Sequence, residues 1–142
     1  MVRELNDNVL REIAEPVKEI TNEIKNLLND MEETLEKQNG IGLAAPQIGI
    51  SLRIIIVKYE NKTYKIINPE IFFTSGIQIF SEGCLSLPKE NGLVRRAEKI
   101  RIKGYDENGK AIKINTQKFL AQIFQHEIDH LDGILFTDKI IK

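Results

Sequence analysis

The sequence predicts an α+β fold: a single compact domain over residues 1–142, with short, mostly antiparallel strands packed around a C-terminal helix. Three features predict it. An amphipathic helix stands near the N-terminus, several short strand-like segments fill the middle of the chain, and a second helix follows them. Helices segregated to the ends of a run of strands are typical of α+β rather than of alternating α/β folds.

The N-terminal helix is predicted over residues 21–38. Apolar residues recur there with the spacing of a helix that buries one face, at Ile24, Leu27, Leu28, Met31 and Leu35. Asn39 and Gly40 follow, and a glycine just past the last helical residue is the usual stop. Residues 40–47 are rich in glycine and alanine and are expected to form a loop with little side-chain bulk.

The first predicted hairpin pairs the apolar run at residues 53–58 with residues 62–67. Asn68 and Pro69 are expected to end this pair, because proline cannot donate to a strand ladder. Two further short strands are expected within residues 71–80.

The second hairpin is predicted over residues 98–114, where isoleucines alternate with polar residues around a turn at residues 106–109. A helix over residues 117–131 comes next. We expect Asn115 or Thr116 to cap its N-terminus and Gly133 to close its C-terminus.

The charge balance of the chain excludes several kinds of protein. Its 142 residues carry 20 basic and 21 acidic side chains, a net charge of −1. This balance predicts no direct nucleic-acid binding. No apolar run approaches the roughly 20 residues that span a bilayer, and the polar N-terminus lacks a signal-peptide core. We expect a cytoplasmic protein without membrane association.

Residues 126–130 form an HExxH motif that contains both histidines of the chain. Positions i and i+4 of a helix lie on the same face, so His126 and His130 can bind one metal ion. Glu127 would lie beside the ion and accept a proton from its water. The alternative is an amphipathic helix with two surface histidines.

A catalytic metal site commonly has three protein ligands and one open position. No histidine follows His130, so we expect the third ligand upstream, at Cys84, the chain's one cysteine. Glycine immediately before Cys84 lets the backbone approach an ion closely. Two other interpretations of Cys84 are a small buried residue and a nucleophile activated by histidine. The second would leave one histidine of the motif unused.

Three segments, at residues 40–47, 82–86 and 125–133, together resemble peptide deformylase. That family carries GxGLAAxQ, EGCLS and QHExDHLxG segments in this order, and this chain matches every defining position. The resemblance implies removal of the N-formyl group from the formylmethionine of nascent polypeptides, with release of formate. It also implies one divalent metal ion per chain, Fe²⁺ as the native one, with Zn²⁺, Ni²⁺ or Co²⁺ able to replace it, and transient proximity to the ribosome.

The resemblance also assigns the chemistry. Metal-bound water attacks the formyl carbon, and Glu127 takes its proton and delivers it to the departing amine. Gln47 and the backbone N–H of Leu85 stabilise the oxyanion. For Gln47 the alternative is a polar side chain that satisfies its own turn.

Substrate-binding residues are expected in the low-bulk loop and around an apolar pocket. A peptide would lie along the loop at Ile41, Gly42 and Leu43 by main-chain hydrogen bonds. Candidates for the methionine pocket are Ile41, Phe80, Phe119 and Ile123, although such residues are more often plain core. Glu82 is also a candidate substrate-binding residue, and Glu82 and Asp129 are candidates to orient metal ligands. For Asp129 the alternative is a solvated helix face or a structural ion pair.

Three positions depart from the family pattern: Arg95 where proline is common, Lys118 where glycine is common, and the polar Gln122 one turn before His126. None is a metal ligand. Two other functions remain open at this stage, a zinc peptidase of the HExxH type and a non-catalytic metal-binding module.

Overall fold

The computed structural model describes residues 8–84 and 87–141, which form two helices and two antiparallel sheets. The helices are α1 (Asn22–Lys37) and α2 (Lys118–Leu131), and short 3₁₀ turns lie at Asn8–Arg11, Ala45–Ile48 and Phe136–Lys139. The strands are β1 (Gly42–Ala44), β2 (Ile54–Tyr59), β3 (Lys62–Ser75), β4 (Gln78–Cys84), β5 (Leu87–Arg96), β6 (Lys99–Tyr105) and β7 (Ala111–Gln117). This element order confirms the predicted α+β class.

Helix α1 begins where the sequence predicts. Thr21 is its N-cap, and its Oγ1 accepts a hydrogen bond from the backbone N–H of Ile24 at 3.4 Å. The side chains of Leu28, Met31 and Leu35 are fully buried against the sheet. The predicted apolar stripe is therefore the face of α1 that packs against the sheet.

Five strands form the main sheet in the order β1-β2-β3-β6-β7, and β4 and β5 form a separate hairpin. Strand β2 is buried on both faces. Ile54 and Ile56 belong to the cluster that contains the buried face of α1, and Ile55 and Val57 pack with α2. This explains why its sequence is a continuous apolar run, since alternation appears only when one face of a strand meets water.

The predicted strand end at Asn68 and Pro69 is wrong, because β3 continues through both residues. Asn68 adopts a left-handed conformation with φ of 55°, and the register shifts between Ile67 and Glu70. The Asn68 side chain accepts from the Val17 N–H at 2.8 Å and donates to the Val17 carbonyl at 2.9 Å. These two hydrogen bonds to a distant segment stabilise the irregular backbone within β3.

The predicted N-cap of α2 is also wrong. Asn115 and Thr116 belong to β7, and Gln117 is the N-cap without a side-chain hydrogen bond to the helix. Lys118 has a φ of 56°, the left-handed region that glycine adopts without strain. This conformation accounts for the glycine expected there, and the Lys118 carbonyl accepts from Gln78 Nε2 at 2.7 Å.

The predicted hairpin of β6 and β7 is confirmed, with residues from Lys99 to Tyr105 paired to residues from Gln117 to Ala111. Gly133, with a φ of 72°, follows the end of α2 as predicted. Within the described ranges, no helix is long and apolar enough to cross a lipid bilayer.

Candidate metal centre and active-site cavity

The HExxH motif lies on α2 with its polar side chains turned into the protein. His126, Glu127 and His130 are 7%, 4% and 1% exposed. Their potential ligand atoms all lie within 4.8 Å of one another, and the two imidazole rings are 5.1 Å apart. The structure thus brings together the three residues that the spacing predicts to meet.

Glu82, at the end of β4, fixes the orientation of the His126 ring. Its Oε1 lies 3.0 Å from His126 Nδ1. Burial alone would raise the pKa of Glu82, but hydrogen bonds from Arg96 and His126 lower it from 4.5 to about 2. An ionised carboxylate only accepts hydrogen bonds, so Nδ1 carries a proton, and in the neutral imidazole the lone pair is then on Nε2. This is the tautomer that a metal ligand needs.

Arg96, at the end of β5, holds Glu82 in turn and is 3% exposed. Its Nε donates to Glu82 Oε2 at 2.9 Å and its Nη2 to Glu82 Oε1 at 2.8 Å. Its Nη1 donates to Asp129 Oδ2, which also accepts from Lys139 Nζ at 2.9 Å. The structural ion pair considered for Asp129 is therefore present, and it joins α2 to the carboxylate behind His126.

Glu127 lies against the backbone of β1. A Cβ placed on Gly42 would stand 2.5 Å from Glu127 Oε2 and 2.8 Å from its Cγ, so a side chain there would collide with the carboxylate. Glu127 Oε1 is buried with no hydrogen-bond partner among the described residues. Burial raises the pKa of Glu127 from 4.5 to about 7.

These residues fit a divalent cation. Burial, together with the positive charge of Arg96, holds the pKa of His130 well below 6.5, so its imidazole is neutral as metal binding requires. His126 presents Nε2 for the reason given above. A cation between them would also compensate the buried, unsatisfied oxygen of Glu127.

A cavity of about 510 Å³ opens onto this group. Most of the predicted site residues line it, namely Ile41, Gly42, Gln47, Glu82, Phe119, Ile123, His126 and Glu127. Gln47 is 1% exposed, and its Oε1 accepts from the Ala44 N–H at 2.9 Å. This contact assigns the other end of the amide, Nε2, as the hydrogen-bond donor.

Two predicted substrate-binding residues do not line this cavity. The side chain of Leu43 is fully buried in the core cluster that includes the inward face of α1, so only its backbone could meet a peptide. Phe80 instead packs edge-on against Phe119, with ring centroids 6.3 Å apart. The side chain of Cys84 and the whole of Leu85 lie outside the described part of the chain, and their roles remain predictions.

The sequence did not single out two residues of this network. Arg96 was not among the predicted site residues, although its side chain contacts both Glu82 and Asp129. Gln122 appeared only as a departure, yet its Nε2 donates to Glu82 Oε2 at 3.1 Å. The one available signal was a polar side chain, Gln122, one helical turn before His126.

A buried carboxylate beside two imidazoles, at the wall of an open cavity, is the arrangement of a hydrolase of the HExxH class. The profile of the polypeptide deformylase family matches residues 1–142. The chain is therefore an enzyme of the polypeptide deformylase family, and membership implies removal of the N-formyl group from nascent peptides.

Proteins of similar sequence and structure match this chain over nearly its whole length. The peptide deformylase of Halothermothrix orenii is 48% identical over 143 residues, covering 99% of this chain and 93% of that protein. The crystal structure of peptide deformylase from Thermotoga maritima has a TM-score of 0.97 at 36% identity, covering 100% of this chain and 97% of that one. A peptide deformylase from Acinetobacter baumannii, crystallised with Met-Ala-Ser bound, has a TM-score of 0.95 at 38% identity and covers 99% and 97%.

Proposed function

We propose that this enzyme deformylates the N-formylmethionyl end of nascent polypeptides with a divalent cation held by His126, His130 and Cys84. The observation that carries the proposal is the meeting of Glu127 with both imidazoles beside the cavity that Gln47 lines. When bound, such a cation supplies Lewis-acid chemistry, lowering the pKa of water and polarising a carbonyl. From the family resemblance we assign Fe²⁺ as the native ion, with Zn²⁺, Ni²⁺ or Co²⁺ compatible with the same ligands.

Glu127 moves the proton. A bound cation would keep its carboxylate ionised at neutral pH. The carboxylate takes a proton from the attacking water as oxygen bonds to the formyl carbon. It then gives that proton to the amine nitrogen as the carbon–nitrogen bond breaks. Formate and a free α-amino group leave, so the reaction consumes one water and needs no other reactant.

Gln47 stabilises the negative charge that develops on the formyl oxygen. Its amide is buried and held by the Ala44 N–H, so the donor end is in place before the substrate arrives. The backbone N–H of Leu85 is the second proposed donor. Prepositioned donors matter because they need no reorganisation during the reaction.

The substrate peptide lies along β1. This strand pairs with β2 on one side and stands at an edge of the described sheet, so a peptide can add to it as a further strand. The methionine side chain then enters the apolar part of the cavity, at Ile41, Phe119 and Ile123, with Phe80 packed behind Phe119. The Met-Ala-Ser peptide bound to the Acinetobacter baumannii relative supports a peptide that begins with methionine.

Formyl-Met-Ala-Ser and unformylated Met-Ala-Ser, offered to the same metal-loaded preparation, test the proposal. We expect formate and free Met-Ala-Ser from the first and no product from the second. Cleavage of internal peptide bonds without formate would contradict deformylation and indicate a peptidase. Tight metal binding without either product would indicate a non-catalytic module. Because its proposed substrates are nascent chains, we propose that the enzyme acts in the cytoplasm, in transient proximity to ribosomes.

A further inference from the structure

Three of the five strands of the main sheet, β3, β6 and β7, carry a concentrated group of cations on the side away from α2. Lys99, Arg101 and Lys103 project from β6, Lys113 projects from the adjacent β7, and all four are exposed. Glu70 on β3 lies opposite Lys103, with Nζ and Oε2 3.9 Å apart. We call the outward side chains of β3, β6 and β7 the basic face. The fold thus separates charges that nearly cancel in the whole sequence.

Aromatic rings lie among these cations. The register of β3 shifts between Ile71 and Phe73, and both Phe72 and Phe73 are 43% exposed although they are consecutive. Arg101 Cζ lies 4.8 Å from the centre of the Phe73 ring, and Lys113 Nζ lies 5.9 Å from that of Phe72. An ordinary strand would turn one of two consecutive rings inward. The irregular register therefore gives the basic face flat apolar surfaces as well as charge.

An open depression of about 290 Å³ lies within the basic face. Phe73, Lys99, Arg101, Asn115 and Gln117 are among the residues that line it. The two amides can both donate and accept hydrogen bonds, as the edges of nucleobases do. One depression therefore combines an aromatic surface, two cations and two amides.

We infer that the basic face binds single-stranded RNA, with phosphates on Lys99, Arg101, Lys103 and Lys113 and a base stacked on Phe73. Positive grooves with aromatic platforms are how proteins hold single strands. An acidic peptide would use the cations but neither the rings nor the amides. The ribose 2′-hydroxyl offers the Asn115 and Gln117 amides a partner that DNA lacks. The inference departs from the expectation drawn from net charge, because composition does not record where charges lie.

The basic face and the catalytic cavity are on opposite sides of the sheet. Ile100 and Ile102, which alternate with the basic residues of β6, are buried in the cluster that contains Phe124 of α2. Successive side chains of a strand point to opposite faces. Bound RNA therefore leaves the cavity open, and it should not change the rate of formate release.

Fluorescence anisotropy of a labelled 12-nucleotide oligouridylate tests the inference with the metal-loaded full chain. The logarithm of the association constant should fall with the logarithm of salt concentration, with a slope of about −2 to −3 for three or four phosphates. Arg101→Glu/Lys103→Glu should weaken binding at least tenfold. The control Lys18→Glu/Lys25→Glu makes the same charge change at exposed positions outside the basic face and should have little effect. Phe73→Ala should weaken binding about tenfold without changing the salt slope.

Several results would overturn the inference. These are equal losses in the two double variants, no effect of Phe73→Ala, or equal affinity for the DNA strand of the same sequence. Tighter binding of polyglutamate or of phosphatidylglycerol vesicles than of RNA would assign the basic face to another partner. Formate release at the wild-type rate verifies that each variant is folded. Where a charge reversal fails that check, Arg101→Gln/Lys103→Gln replaces it, with an expected weakening of about threefold or more.

Discussion

Gly42 and Glu127 are in direct contact although 85 positions separate them in the chain: the carboxylate of Glu127 occupies the space that a Cβ of residue 42 would fill. Glycine at this position therefore has a steric role. It allows the general base to lie against the edge strand on which we propose that the substrate binds.

Gly42→Ala should lower kcat of formate release at least tenfold, because the new methyl group displaces the Glu127 carboxylate. Steady-state kinetics with formyl-Met-Ala-Ser measures this. Glu127→Asp shortens the side chain and provides the matched background. In that variant, Gly42→Ala should lower kcat by a clearly smaller factor than in the wild-type protein. An equal loss of kcat in both backgrounds would contradict the steric explanation.

Glu127→Gln should retain the metal and lose turnover. The amide keeps the size of the side chain but cannot take a proton, so the expected loss in kcat is about 100-fold or more. Elemental analysis and formate release are measured on the same preparation. Full activity in this variant would show that another group is the general base.

Cys84→Ser should greatly weaken metal binding, since a neutral hydroxyl is a poor substitute for a thiolate. Metal content after dialysis against a chelator measures the effect, with Ser81→Ala, three residues earlier on β4, as the control. Metal retained as in the wild-type protein would return Cys84 to its alternative role as a small buried residue.

Arg96→Met should destabilise the fold by about 3–5 kcal/mol, because Glu82 would be left buried without its main partner. Urea unfolding of the metal-free protein measures this loss. The double variant Arg96→Met/Glu82→Gln should be less destabilised than Arg96→Met alone. Lys37→Met, which breaks the exposed pair with Glu33, serves as the control and should change stability little. A double variant as unstable as the single one would contradict the electrostatic explanation.

Asp138→Asn should reduce stability in a pH-dependent manner. Burial tends to raise the pKa of Asp138, but hydrogen bonds from Arg11 and the Leu135 N–H lower it below 3.8. A depressed folded-state pKa contributes stability above the unfolded-state pKa, and this contribution disappears as pH falls through the folded-state value.

The wild-type protein should therefore be more stable than Asp138→Asn between pH 5 and pH 7, because this range lies above 3.8, the ordinary pKa of an aspartate carboxyl. This advantage should shrink as the pH is lowered further. Thermal unfolding across pH measures it. Arg11→Gln removes one hydrogen-bond partner of Asp138 and should lose part of the same pH-dependent stability. If the dependence of stability on pH is unchanged in both variants, Asp138 does not make this contribution.

The sequence predicts the elements that depend on neighbouring residues. Thr21 caps α1 through a residue three positions away, and His126 and His130 share a face because they are one helical turn apart. Local patterns were sufficient in both cases.

Prediction from the sequence fails where contacts between distant segments determine the local structure. Asn68 stays inside β3 because its side chain pairs with Val17, 51 positions away. Arg96 holds Glu82 and Asp129, which are 14 and 33 positions away. The spacing of apolar residues along the sequence does not predict such contacts, since they arise only once tertiary packing brings the side chains together.

The ion pair of Lys139 with Asp129 has a practical consequence for protein engineering. Asp129 also receives Arg96, which holds the carboxylate that orients His126. An affinity tag or fused domain that disturbs the 3₁₀ turn at Phe136–Lys139 would therefore act on the histidine site through a chain of charged contacts. A fusion should begin beyond Lys139 and leave the ion pair of its ammonium group with Asp129 intact.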